Sequence, residues 1–305
     1  MSNNKVNKKS KTVNFYHLEA KDKVIEAIDN KISDTYLKLK SHHSNEIDTI
    51  DIHDNKYYIY SMDKAYVDED NHQKYAWLLT LSKLDPTAQI EIGDLNKKIE
   101  DRNEVLSTEN SKGQVINTQF LYDTNTHVCA FARTSGGVNK ALFKTFLLRF
   151  CAVRGIKLSI IPDEIAIKRL DTLVKPSCIT YTVAKIDNLS NIANASQDEI
   201  KDIEYADEVG ANKMTIMLKA DASMKRPSII SKAKFLFSNS EDLGISKLEL
   251  EGINDDGVFE PVDLVQHKLT YRGDVEYENV ITVKNMFGFL EQAYARKYNY
   301  LVKFF

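Results

Sequence analysis

The sequence predicts an α+β fold, with mixed, largely antiparallel sheets, packed helices and a long C-terminal helix. Three observations carry this. Alternating β-rich runs come in pairs joined by short turns, which is the hairpin pattern. Amphipathic helical stretches interrupt them irregularly, not after every strand. The chain closes on an apolar stripe at helical spacing. The 305 residues, 43% hydrophobic and 10% aromatic, are enough to bury a core.

The elements follow in order. "TVNFYHL" alternates and reads as a first strand. In "AKDKVIEAIDNKISDTYLKLK", Ile25, Ile28, Ile32, Tyr36 and Leu39 share one helical face. "IDTIDIHDNKYYIYSMDKAY" places two β-rich runs around the turn "HDNK". "KYAWLLTLSKL" is a strand whose unbroken apolar run predicts burial. The polar stretch "EDRNEVLSTENSKGQ" marks a domain boundary, giving an N-terminal domain over 13–110 and a C-terminal domain over 115–305. Residues 1–12 read as a disordered basic arm.

The second half opens with the hairpin "VINTQFLYD" and "HVCAFAR", turned by "TNT". Ser135-Gly136-Gly137 breaks the strand, Asn139 caps a helix, and that helix runs from Lys140 to about Val153. "IKLSIIP" is a strand, "DEIAIKRLDTL" a helix and "CITYTVAKI" a strand. "SQDEIKDIEYADEVG" is acidic and helical in pattern. "KMTIMLKA" is a strand, and "RPSIISKAKFLF" is a short helix with Pro227 in its first turn. "SKLELEGI" and "VQHKLTYRG" are strands flanking the "NDDG" turn. A helix from about Val283 to Phe305 ends the sequence.

Several function classes find no support. Three cysteines at 129, 151 and 178 lie outside CxxC spacing and read as reduced thiols. No apolar run reaches the roughly 18–20 residues that span a bilayer, and the polar N-terminus is not a secretory signal. The chain is therefore expected in the cytoplasm, recruited to the inner face of the membrane only through a partner. No phosphate loop, HExxH or GxSxG motif is present. No metal, cofactor or catalytic residue is predicted, and the protein is read as a non-enzyme. "PDEIAIK" has a nuclease-like spacing of acids and lysine, but its acids are expected to open a helix. The pair His42-His43 has no third ligand at useful spacing.

Charge carries the functional signal. The formal net charge is -3, yet residues 124–162 hold six basic and no acidic groups. Residues 224–234 add Lys225, Arg226, Lys232 and Lys234 without an acid, and residues 292–305 add Arg296, Lys297 and Lys303. Acids concentrate elsewhere: six in 198–208 and eight in 241–263. At about 100° per residue, Lys140 and Lys144 share a helical face, and Arg154 joins them if the helix continues. Such a stripe suits a phosphate backbone. The "TSGGVNK" turn would offer backbone donors to an anion at the helix N-terminus. Pairing of basic with acidic segments inside the fold is the competing explanation. In the last helix, Phe287, Leu290, Tyr294, Tyr298, Leu301 and Phe305 recur at steps of three and four. Phe289, Tyr300 and Phe304 add aromatic surface beside them. Phe287, Tyr294, Tyr298 and Phe305 are therefore the expected oligomer or partner interface.

From about residue 119 onward, "QFLYDTNTHVCAFART", "KMTIMLKADASMKRPSIISKAKFLFSN", "GISKLELEGINDDG" and "FLEQAYARKYNYLVKFF" resemble the RexA-type phage-exclusion proteins of lysogenic phages. The layout is also similar to the KwaB component of the Kiwa anti-phage system. The helix after Met224 carries fewer basic residues than the RexA pattern. The resemblance implies a homodimeric, double-stranded DNA-binding protein working with a small multi-spanning membrane protein in phage exclusion or antiviral defence. It implies DNA contacts at Arg133, Lys225, Arg226, Lys232, Lys234 and Arg296. Lys140, Lys144 and Arg154 are added by the charge argument. Two other readings stand beside this one: an interaction module that docks a membrane protein, and a divergent metal-dependent nuclease.

Overall fold

A computed structural model of the chain describes residues 6–41, 43–66, 75–88, 90–93, 96, 98, 103–106, 112–184, 205–206, 208–265 and 267–305. Among them are five α-helices and 14 strands in largely antiparallel sheets, an α+β fold. The chain divides into two compact units. One is Met1–Leu158 with Tyr271–Phe305, and the other is Ser159–Thr270. This differs from the division read at residues 110–115. β4 (Tyr75–Asp85) and β7 (Gln114–Asp123) lie on either side of that boundary, yet they pair along their whole length. The segment between them contains a small antiparallel pair, β5 (Ile90–Gly93) with β6 (Asn103–Leu106), and the second of these strands falls in the polar stretch.

The first unit is built on one sheet. Its other strands are β1 (Asn7–Glu19), β2 (Ile50–Ile52), β3 (Asn55–Tyr66), β8 (Val128–Ala132) and β14 (Thr270–Tyr277). They run in the order β14-β1-β8-β7-β4-β3-β2, and β9 (Lys157–Ile160) also pairs with β1. The sheet is covered on both faces. Tyr122 and Phe120 point towards helices α1 (Asp22–Lys40) and α2 (Lys140–Phe150): Tyr122 donates to Asp29, and Phe120 stacks on Phe143. Asp123, one position on, points the other way and meets Tyr294 of α5 (Val283–Phe304). Double coverage explains why β4 is a continuous apolar run, with Ala76 through Leu81 all buried.

The second unit has a four-stranded sheet in the order β11-β10-β12-β13. These are β10 (Leu173–Val183), β11 (Met214–Lys219), β12 (Ile245–Asn254) and β13 (Phe259–Asp263). Helices α3 (Glu164–Thr172) and α4 (Arg226–Ser238) lie on the face that carries Leu248 and Leu250. Lys232 of α4 sits over the Tyr181 ring, and Arg169 of α3 reaches Glu260.

Four local differences from the sequence reading have physical causes. Half of the basic arm is strand, since β1 begins at Asn7 and lies between β14 and β8 in the sheet. α2 stops at Phe150, because Ala152 turns left-handed at φ 52° and Val153 N–H bonds back to Leu148. β10 begins at Leu173 and includes Pro176, a residue that argues against an interior strand. Register breaks flank that proline, and Gly252 stands opposite it. A Cβ on Gly252 would lie 2.4 Å from the Lys175 carbonyl oxygen, so only glycine lets the two strands close there. Finally, β13 follows the "NDDG" turn directly, where the alternation of "VFEPVD" is interrupted by its own proline. The acidic stretch 196–210 lies largely outside the described residues.

Candidate nucleic-acid interface

The acid-free window folds as β8, a glycine turn, α2 and the segment after it. Asn139 caps α2 as expected, its side chain accepting from Leu142 N–H at 3.0 Å. The turn itself spends its donors internally. Gly137 N–H bonds to Thr134 and Val138 N–H to the Thr118 hydroxyl at 2.9 Å. With Leu142 also taken, the anion cradle read from "TSGGVNK" loses those donors.

The predicted cations divide sharply. In the first unit, Arg133 before α2 and Arg154 after it are exposed, and Lys144 on α2 is half-buried. None of the three makes an ion pair among the described residues. Arg296 of α5 is exposed too. Lys140 is not part of a surface stripe. It is buried at 8% exposure, with its ammonium 5.9 Å from the Tyr16 ring. The helix ends before Arg154, so that residue leaves the face it was expected to share. Arg149 is spent on the Asp51 carbonyl oxygen.

In the second unit, Lys225 and Lys234 are exposed, but Arg226 is not offered to an external anion. Its guanidinium donates to the carbonyls of Leu173 at 2.8 Å, Asp171 at 3.0 Å and Leu170 at 3.4 Å. It therefore closes the C-terminal end of α3, where carbonyls lack helical partners and the dipole favours a cation. Lys232 is half-buried and covers the rings of Tyr181 and Phe235 at 5.8 and 6.0 Å.

The structure also places in a strand cations that the sequence reading left in a tail; Lys9 and Lys11 lie on the face of β1 that carries Val13 and Phe15, opposite the face that Thr12 shares with Arg133. Arg133 N–H donates to the Thr12 carbonyl at 2.8 Å, which draws the start of β1 alongside Arg133. Lys8 there pairs with Glu276 at 2.8 Å, while Lys9 is exposed. Burial and then the neighbouring Lys9 push the Lys11 ammonium below its ordinary pKa. The signal was present in the sequence: Lys9 and Lys11 continue the two-residue spacing of Val13 and Phe15.

The expected partner interface on α5 is largely internal. Phe287 and Tyr294 are buried against the chain's own sheet, and the Tyr294 hydroxyl donates to Asp123. Asp123, fully buried, also accepts from Thr126 at 3.0 Å and from Asn125 N–H at 2.8 Å. It thereby pins both the β7–β8 turn and α5. Tyr298 is half-buried, and Phe305 stacks on His17 at 3.9 Å.

The acid–acid–lysine spacing is structural. Asp163 caps α3 through Ala166 N–H at 2.7 Å, and its other oxygen meets His267 at 3.2 Å. All three cysteines are free thiols; burial pushes Cys151 up to about 12. Among the described residues no three metal-ligating side chains converge, and no helix is long and apolar enough to cross a membrane. No family model matches the chain, no curated protein matches it and no solved structure matches it.

Proposed function

We propose that this is a non-enzymatic protein that binds double-stranded DNA largely independently of sequence, as a homodimer acting with a small multi-spanning membrane protein in phage exclusion or anti-phage defence. One observation carries the DNA-binding part. The window without acids forms α2 and its flanks, and Arg133, Lys144 and Arg154 along it make no ion pair among the described residues. An 11-residue helix is about 16 Å long, so these cations are spread on the scale of several phosphates. Backbone contact fixes position without reading bases, hence the sequence independence. The defence context, the dimer and the membrane partner rest on the resemblance of the sequence to RexA-type proteins.

The test is fluorescence anisotropy with an unrelated double-stranded DNA oligomer at several salt concentrations. Three phosphate contacts per protomer predict that log K falls with log salt at a slope of about -2.7 for one bound protomer and about -5.4 where both protomers of the dimer engage the duplex. The triple variant R133A/K144A/R154A should lose most of that slope and weaken on every DNA sequence alike. Unchanged affinity and slope in the triple variant would remove these residues from the interface. Absence of binding even at low salt would remove the DNA reading.

One feature favours a protein partner as a second reading. The sheet face of the second unit that carries Thr180, Glu249 and Asp263 in one cross-strand row also carries exposed apolar side chains on its edge strands. On that face Met217 is 63% and Phe259 is 59% exposed. Co-purification of a neighbouring gene's membrane product that survives nuclease treatment would favour this reading.

A further inference from the structure

Lys64 on β3 has no ion pair among the described residues, yet its ammonium is surrounded. Its Nζ lies 4.1 Å from the Tyr75 ring centroid, 4.9 Å from that of Trp77 and 5.4 Å from that of Tyr36. The rings brace one another. Tyr75 meets Trp77 edge-on at 4.9 Å, and Tyr36 tilts against Trp77 at 5.0 Å. Two walls come from β4 at alternate positions and the third from α1. Lys64 enters from β3 as the cross-strand partner of Trp77. All four residues belong to the first unit.

The chemistry of this cage suits a different cation from the one inside it. Three ring faces converge on one point, and each attracts positive charge through its quadrupole. Rings do not satisfy the three N–H donors of a strongly hydrated primary ammonium. A quaternary ammonium has no donors to satisfy and sheds its weak hydration readily. Lys64 holds the site because it is tethered, which gives it a local concentration of millimolar order.

We propose that Tyr36, Tyr75 and Trp77 form a binding site for a methylated or quaternary ammonium group, kept closed by Lys64 as an internal occupant. This is independent of the DNA-binding reading and makes no use of the α2 cations. Trp77 is the single tryptophan of the chain, so its fluorescence reports on the cage directly.

The experiment titrates wild type and Lys64→Ala with tetramethylammonium chloride, against sodium chloride at matched ionic strength. Lys64→Ala should give a saturable change in Trp77 fluorescence that sodium chloride does not produce. Wild type should respond about ten-fold more weakly, because the tethered ammonium competes. Adding Tyr75→Ala to Lys64→Ala should abolish the response. If Lys64→Ala does not fold, Lys64→Thr replaces it, with a strand-forming side chain too short to reach the rings. A folded variant that responds to the two salts identically would overturn the proposal. Equal affinity in variant and wild type would overturn the role of Lys64.

Discussion

Arg226 illustrates how a basic residue is spent. Its three hydrogen bonds to the carbonyls of Leu170, Asp171 and Leu173 place a full positive charge on the C-terminal end of α3. The geometry uses the fork of the guanidinium, which a lysine ammonium does not reproduce. Arg226→Ala should therefore destabilise the protein by about 2 kcal/mol in urea denaturation, from charge-assisted bonds and the lost dipole partner. Arg226→Lys should recover less than half of this. Under the proposed DNA-binding function, neither change should flatten the salt dependence of binding, whereas replacing a phosphate-contacting arginine would. Lys140 makes the same point from the other side. Its aliphatic stem suits a buried position over Tyr16, and the four-residue spacing with Lys144 says nothing about that.

At the scale of the element, the end of α2 decides how the window is displayed. The helix closes in a Schellman-type turn, with Ala152 N–H bonded to Arg149 and Val153 N–H to Leu148. Glycine usually occupies this left-handed position, because a Cβ there costs about 1–2 kcal/mol. Ala152→Gly removes that cost and adds roughly 0.4–1 kcal/mol of unfolded-state entropy loss. The net expectation is a gain of about 0.5 kcal/mol, read as a raised urea midpoint with unchanged slope. A loss of stability in this variant would show that Ala152 does not hold the left-handed turn. The same turn takes Arg154 off the helix, and this is why the continuous stripe does not form. In β10 the local signal was misleading for a related reason. Pro176 is accommodated by register breaks and by a glycine on another strand, neither of which is visible at residue 176 itself.

At the scale of the whole molecule, two compact units each carry their own core. Trp77, Phe120 and Phe146 are fully buried in one, and Ile179, Leu248 and Leu250 in the other. Trp77 lies in the first unit, so its fluorescence follows that unit alone, while far-UV circular dichroism follows both. The two probes should give non-coincident urea transitions. Coincident curves would mean that the units unfold as one cooperative block. Charge follows the same division of the chain. A net charge of -3 conceals an acid-free helix in one unit and the cross-strand acids Glu249 and Asp263 in the other.

The sequence alone determined the α+β class, the order of most strands and helices, the Asn139 cap and the acid-free window. These are short-range properties: periodicity, capping and composition act within a few residues. The tertiary structure alone decided which cations face water. It turned Lys140 inward, spent Arg226 on α3, and filled the Phe287 and Tyr294 positions with the chain's own sheet. It also joined β1 to β8, bringing Thr12 and Arg133 into contact. Strand pairing and burial link residues far apart in the chain, so their outcome depends on partners that no local window contains.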